Sequence, residues 1–119
     1  MPPSRKAVIF IEITITALYF NALDFATGLI KAFKNKTLDS KSLRDGLFKK
    51  CGFMLCYALA WLVDTHGASV GIDIGSVLLP VICGYVVMTE IVSIIENIAE
   101  INPEILPEKL MELFKINKK

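Results

Sequence analysis

The most apolar stretch of the chain, residues 74–101, reads IGSVLLPVICGYVVMTEIVSIIENIAEI. Its first sixteen residues carry no charge, and Glu90 is its first acid. A helix of that length rises only about 24 Å, whereas the hydrocarbon of a bilayer is about 30 Å thick. The flanking residues must therefore complete the crossing, which is possible because acids are tolerated near helix ends or against another helix. The stretch predicts a membrane-spanning helix.

Two further apolar stretches precede it. The first is interrupted by Glu12 and Asp24, and the second contains an uncharged run over residues 51–63. The β-branched run VIFIEITIT in the first stretch suits a strand by propensity, but the length of the stretch favours a helix. The sequence therefore predicts an all-α integral membrane protein with about three transmembrane helices, roughly over residues 6–30, 47–66 and 74–101.

The composition also favours a membrane protein over an ordinary soluble enzyme or a disordered chain. The 119 residues are enough for one domain, so residues 1–119 are expected to form a single membrane domain. Hydrophobic residues make up 54% of the chain, and the mean hydropathy is +0.55. A small soluble domain has too little interior to bury that much apolar surface, which leaves a membrane protein or an obligate oligomer. The formal net charge of +1 indicates no nucleic-acid partner.

The N-terminal sequence MPPSRK places basic residues before the first apolar stretch, as a signal peptide does. No A-x-A cleavage site follows, and Glu12 interrupts the apolar run, so we expect an uncleaved helix. The alternative is that this stretch is too polar to insert fully and lies in the membrane interface.

The distribution of basic residues predicts the orientation of the chain in the membrane. Residues 31–50 hold seven of the thirteen Lys and Arg, whereas residues 64–73 hold none. Short cytoplasmic loops carry the excess of Lys and Arg, so residues 31–50 are expected in the cytoplasm and residues 64–73 outside. Three crossings then place the N-terminus outside and the C-terminus in the cytoplasm. Arg5 and Lys6 are weak evidence against an external N-terminus, because they are two basic residues against the seven of residues 31–50.

The C-terminal segment predicts a short amphipathic helix over residues 107–117. Asn102 and Pro103 should end the third span, because proline cannot continue a helical hydrogen-bond ladder. Pro107 suits the first turn of a new helix. Its apolar face is predicted to lie on the cytoplasmic membrane surface or on a neighbouring subunit. The residues of that face are Leu110, Leu113 and Phe114.

Polar residues within the predicted spans are the candidate functional residues, because a charge in the bilayer centre is costly. At 100° per residue, most of those in the first stretch form one polar stripe, whereas Thr14 and Asn21 lie on the far side of the helix. The stripe consists of Glu12, Thr16, Asp24, Thr27 and Lys31. Either this stripe lines an aqueous path inside an oligomer, or Glu12 and Asp24, about 18 Å apart along the axis, lie near the two interfaces and are merely solvated. The candidates for pore lining or helix contact are Glu12, Thr16, Asp24, Thr27, Glu90, Ser93, Glu96 and Asn97.

Nothing in the sequence predicts catalysis, a cofactor or a metal site. There is no nucleophile with a neighbouring base, and the three cysteines and one histidine are too few and too scattered for a zinc site. His66 is expected to be solvated. Gly67, Gly71 and Gly75 either form a close-packing helix ridge or support turns in a loop, and His66 and Asp73 favour the loop.

Several short motifs occur in a definite order. Asp24, Thr27 and Gly28 form an Asp-x-x-Thr-Gly motif, followed by a basic segment with a serine-rich helix start at residues 38–42 and a Gly-x-x-x-Lys motif at residues 46–50. Later motifs consist of Glu90, Ser93, Glu96 and Asn97, then Pro107. Over roughly residues 15–115 the chain resembles the phage holins related to clostridial toxin-secretion holins. The turn at residues 101–104, INPE, departs from the glycine-containing turn expected there.

The resemblance implies a function. Holins accumulate in the bacterial inner membrane, form homo-oligomers and open lesions that dissipate the membrane potential. Endolysin, or a toxin in related systems, crosses as cargo without stable binding. Two other functions stay open: a proton-coupled carrier similar to small multidrug transporters, which have a glutamate in their first helix but need four spans, and a non-pore scaffold subunit.

Overall fold

The computed structural model describes residues 4–113 and has no strand in that part of the chain. Three of its helices are long and apolar enough to cross a membrane. A single-turn 3₁₀ helix, Gly67–Val70, follows the second of them. The prediction of an all-α membrane fold with a short C-terminal helix is confirmed. The α-helices are α1 (Arg5–Lys34), α2 (Ser40–His66), α3 (Leu78–Ile101) and α4 (Glu108–Leu113).

Polar caps fix the starts of the first two helices. The Ser4 hydroxyl accepts a hydrogen bond from the Ala7 amide at 3.1 Å, which satisfies one of the free amides of α1. Asp39 does the same for α2, because its carboxylate accepts from the Ser42 amide at 2.7 Å. That hydrogen bond holds the pKa of Asp39 below its ordinary value. The serine-rich helix start at residues 38–42 is thus the beginning of one continuous helix, α2.

The helices α1 and α3 run parallel, and their contact is the most extensive in the bundle. At one end the Lys6 ammonium donates to the Ser76 hydroxyl at 2.6 Å. At the other end the Lys34 ammonium donates to the carbonyls of Glu100 and Ile101 at 3.0 and 2.7 Å, which satisfies the free carbonyls at the end of α3. Ala17 and Ala60 are fully buried among Leu79, Cys83 and Val86, and such small side chains let helix backbones approach closely.

The connection between α2 and α3 is a loop. Of the two interpretations of the three glycines, a helix ridge or turns in a loop, the structure supports the loop. Gly71 and Gly75 have φ angles of 87° and 77°, so they support turns rather than a helix ridge. The third helix, expected roughly from residue 74, begins at Leu78 in the structure, because Gly75 and Ser76 adopt left-handed conformations. The Asp64 carboxylate caps that start by accepting from the amides of Leu78 and Leu79 at 3.1 and 2.7 Å.

The C-terminal segment folds back on its own chain. Leu106 and Met111 are buried against Ile95 and Ala99 of α3. This differs from the predicted apolar face, because Leu110 is half-buried and Leu113 is exposed. Residues 114–117 of the predicted tail helix, including Phe114, lie outside the described residues. Met111 is the buried residue of α4, and Leu110 packs partly buried against the same apolar cluster.

Candidate functional site

Seven polar side chains meet in the interior, where all three long helices contribute. Each of the seven is at most 9% exposed. Buried polar groups persist only where they find hydrogen-bond partners, and this requirement is stricter where lipid surrounds the protein. We call this set the polar cluster. Its members are Asn21, Asp24 and Thr27 of α1, Lys50 and Tyr57 of α2, and Glu90 and Asn97 of α3.

Lys50 joins the three helices at the centre of the polar cluster. Its ammonium contacts Oδ2 of Asp24 at 2.5 Å and Oε2 of Glu90 at 2.6 Å. The Lys50 and Asp24 side chains are 8% and 11% exposed, and that of Glu90 is fully buried. Ion pairs this deeply buried are strongly coupled, because neither partner can be solvated if the other is removed. Lys50 is thus the common partner that holds α1 and α3 to α2.

Neutral groups extend the polar cluster in both directions along the bundle axis. On one side the Asn21 amide donates to Glu90 Oε2 at 2.8 Å, and the Tyr57 hydroxyl donates to Asn21 Oδ1 at 2.8 Å. On the other side the Asn97 amide donates to Asp24 Oδ1 at 3.2 Å and to the Thr27 hydroxyl at 3.0 Å. The contacts form one continuous hydrogen-bonded chain from Tyr57 to Thr27. Glu90 Oε1 is the exception: it is buried and has no hydrogen-bond partner among the described residues.

The three charged side chains lie at one level of the bundle. Asp24 is ten residues before the end of α1, Lys50 is ten residues after the start of α2, and Glu90 is eleven residues before the end of α3. All three are therefore about 15 Å from the helix ends that surround the α1–α2 turn. Since α1 is 30 residues and about 45 Å long, the charges lie well inside the bundle, displaced toward that turn.

A cavity of about 480 Å³ adjoins the polar cluster on the same side. Asp24, Lys50 and Asn97 line its inner part, together with Ser93, and Thr37 and Asp39 of the α1–α2 turn line its other end. A second cavity of about 720 Å³ lies between α1 and α2 toward the opposite end, with mostly apolar walls that include Phe10 and Trp61. The first cavity links the charged centre to the surface that holds most basic residues.

The structure divides the predicted candidate residues into two groups. Asp24, Thr27, Glu90 and Asn97 converge in the polar cluster, and Ser93 lines the adjacent cavity half-buried. The other three are exposed on the outside of the bundle. On α3, Glu96 is exposed because it follows Glu90 by six positions and is therefore rotated by 240° around the helix axis. The exposed candidates are Glu12, Thr16 and Glu96.

Sequence reasoning missed Lys50, Asn21 and Tyr57. Lys50 was grouped with the cytoplasmic loop charges, although it lies in the third turn of α2. Two spacings carry a signal for these residues: Asn21 precedes Asp24 by three positions, and Tyr57 follows Lys50 by seven, so each pair shares a helix face. Such a polar face on two apolar helices indicates a buried network rather than separate solvated residues.

Comparison with known proteins gives two matches. The sequence model of the bacteriophage holin family matches residues 7–119. An uncharacterized 14.9 kDa protein of the nagH 3′ region in Clostridium perfringens is 35% identical over 102 residues, which span 85% of this chain and 73% of that protein. No solved structure is significantly similar to the chain.

Proposed function

This chain belongs to the bacteriophage holin family and is a multi-pass membrane protein, and from that premise we propose that its copies assemble in the bacterial inner membrane and open a lesion. The lesion dissipates the membrane potential and releases endolysin, or a toxin in a related system, which crosses as cargo without binding stably. No enzymatic activity is expected, because holins are non-enzymatic membrane proteins.

The observation that carries this proposal is the polar cluster inside an otherwise apolar bundle. Lys50, Asp24 and Glu90 gain little stability from one another relative to well-packed apolar side chains, because burial removes their hydration. A protein that needed only to span the membrane would be as stable without them. Exposed to water, however, the same charges are fully hydrated. The cluster therefore suits a chain that buries a polar face while few copies are present in the membrane. Once the copies assemble, that face becomes exposed to water.

Two exposed polar residues support assembly from the outside of the bundle. Glu12 and Thr16 lie on α1 without burial, and the Thr16 hydroxyl donates only to the Glu12 carbonyl of its own helix, at 2.9 Å. Glu12 is about 10 Å along the axis from Arg5. A carboxylate at that depth is unfavourable in lipid and favourable against another protein surface or water. Contact with a second copy would remove it from lipid.

We expect that a membrane-impermeant thiol reagent applied to intact cells labels a cysteine at Ser69 but not one at Ser40. Ser40 begins α2 beside the basic α1–α2 turn, and Ser69 lies in the 3₁₀ helix at the other end of the bundle. Both side chains are exposed, so either is reactive if the reagent reaches it. The native cysteines 51, 56 and 83 are removed beforehand. Labelling at Ser40 from outside would reverse the proposed orientation.

The lesion itself is tested by expressing the chain with and without an endolysin. Expression with endolysin should clear the culture abruptly, and expression alone should depolarise the cells without clearing it. Crosslinking in membranes should give a ladder of species above the 13.2 kDa monomer. Proton-coupled efflux of small molecules without endolysin release would instead indicate a carrier. Release of endolysin by a strictly monomeric protein would contradict the assembly mechanism.

A further inference from the structure

The charges of the polar cluster do not balance if both of its acids are ionised. Two carboxylates, Asp24 and Glu90, share one ammonium group, that of Lys50. Tyr57 of α2 supplies no positive charge, and its hydroxyl donates to Asn21. With both acids ionised, the cluster would hold one uncompensated negative charge in the interior of a membrane protein. Proteins neutralise such charges rather than bury them.

The hydrogen bonds indicate which acid is neutral. Both oxygens of Asp24 accept hydrogen bonds, Oδ2 from Lys50 and Oδ1 from the Asn97 amide. Glu90 is different, because its Oε2 accepts from both Lys50 and Asn21 while its Oε1 has no donor. A fully ionised carboxylate with one unsolvated oxygen in a buried site is unfavourable. Asp24 is therefore the better-stabilised anion, and Glu90 has the free oxygen.

We propose that Glu90 binds a proton on Oε1 in the packed bundle, which makes the polar cluster electrically neutral. A proton fits this position because it needs no space of its own. Glu90 is fully buried and lines neither of the two cavities described above. The proton resides on α3 and the ion pair between Lys50 and Asp24 joins the other two helices. This inference does not depend on the lesion proposal.

Infrared spectroscopy of the full chain in lipid vesicles at neutral pH tests the proposal. The protein is labelled with ¹³C at the glutamate carboxyls in one sample and at the aspartate carboxyls in another. We expect a protonated-carboxyl C=O band that shifts with labelled glutamate and not with labelled aspartate. Glu90→Gln should remove one carboxyl per chain from that band. Glu12→Gln and Glu96→Gln, which change exposed acids, should leave this component in place.

A second variant tests the charge-balance reason without altering any glutamate. In Asp24→Asn, Lys50 has Glu90 as its sole anionic partner in the cluster, so Glu90 should release its proton and the glutamate-derived component should disappear. The proposal is overturned if the band shifts with labelled aspartate, if it keeps full intensity in Glu90→Gln, or if it persists in Asp24→Asn. Because the labelling uses the unaltered sequence, the result stands even where a variant fails to fold.

Discussion

Replacing Lys50 with methionine is expected to lower the free energy of unfolding by about 3–5 kcal/mol, the usual cost of removing one partner of a buried ion pair. The variant leaves Asp24 without its cation at the centre of the bundle, and Glu90 loses one of its two donors. Methionine has nearly the length of lysine, so packing volume changes little. The measurement is unfolding of the purified protein in mixed micelles, followed by circular dichroism.

Lys49 supplies the matched control. It precedes Lys50 in α2 and is exposed, so Lys49→Met removes the same charge and a similar shape from the surface. Surface substitutions of this kind change stability by less than about 0.5 kcal/mol. Equal effects of the two substitutions would show that Lys50 does not hold the helices together.

The second large effect is expected from replacing the two acids and the lysine of the polar cluster at once, with Asp24→Leu, Lys50→Met and Glu90→Met. Replacing a buried ionic group by apolar residues of similar volume is often neutral or stabilising by about 1–4 kcal/mol. The Asn21 and Asn97 amides lose their carboxylate acceptors in this variant, which offsets part of that gain. The variant should therefore insert and accumulate at about the level of the unaltered chain. It should nevertheless fail to release a co-expressed endolysin, because its interior no longer contains charged side chains whose hydration would favour exposure to water.

Culture turbidity after induction measures this effect, with membrane levels compared by blotting. The control variant carries Asp45→Leu and Lys49→Met, which remove an acid and a lysine from exposed positions of α2. This variant should clear the culture at the normal time. If the charge-free variant also clears the culture at equal protein level, the polar cluster is not needed for the lesion.

The helical fold was accessible from sequence because three long apolar stretches leave few alternatives. The polar cluster was accessible only in part. Asp24, Glu90 and Asn97 stood out as polar residues in apolar surroundings, but their meeting depends on how α1 and α3 rotate against each other, and a single helix pattern does not fix that rotation. Asp24 and Glu12 are 120° apart on α1, so either could have faced inward.

Lys50 was missed for a different reason. It follows Lys49 at the border of an uncharged run, and two adjacent lysines there are typical of a loop end. The Asp39 cap starts α2 ten residues earlier, which places Lys50 within the helix and on its inner face. The role of Asp64 could not be predicted either, since its partners at Leu78 and Leu79 are brought close by the left-handed turn residues Gly75 and Ser76.

The exposure of the polar cluster to water during lesion formation is the central claim, and cysteine labelling at two adjacent positions of α1 tests it most directly. Thr27 is buried in the cluster, whereas Ala26 is exposed on the outer face of the same helix turn. A thiol reacts as the thiolate, so a cysteine facing lipid stays unreactive. In a cysteine-free background, Thr27→Cys should become labelled by a water-soluble reagent when the membrane depolarises, and Ala26→Cys should stay unlabelled. Depolarisation and lysis with Thr27→Cys still unlabelled, or equal labelling of both positions, would contradict the account.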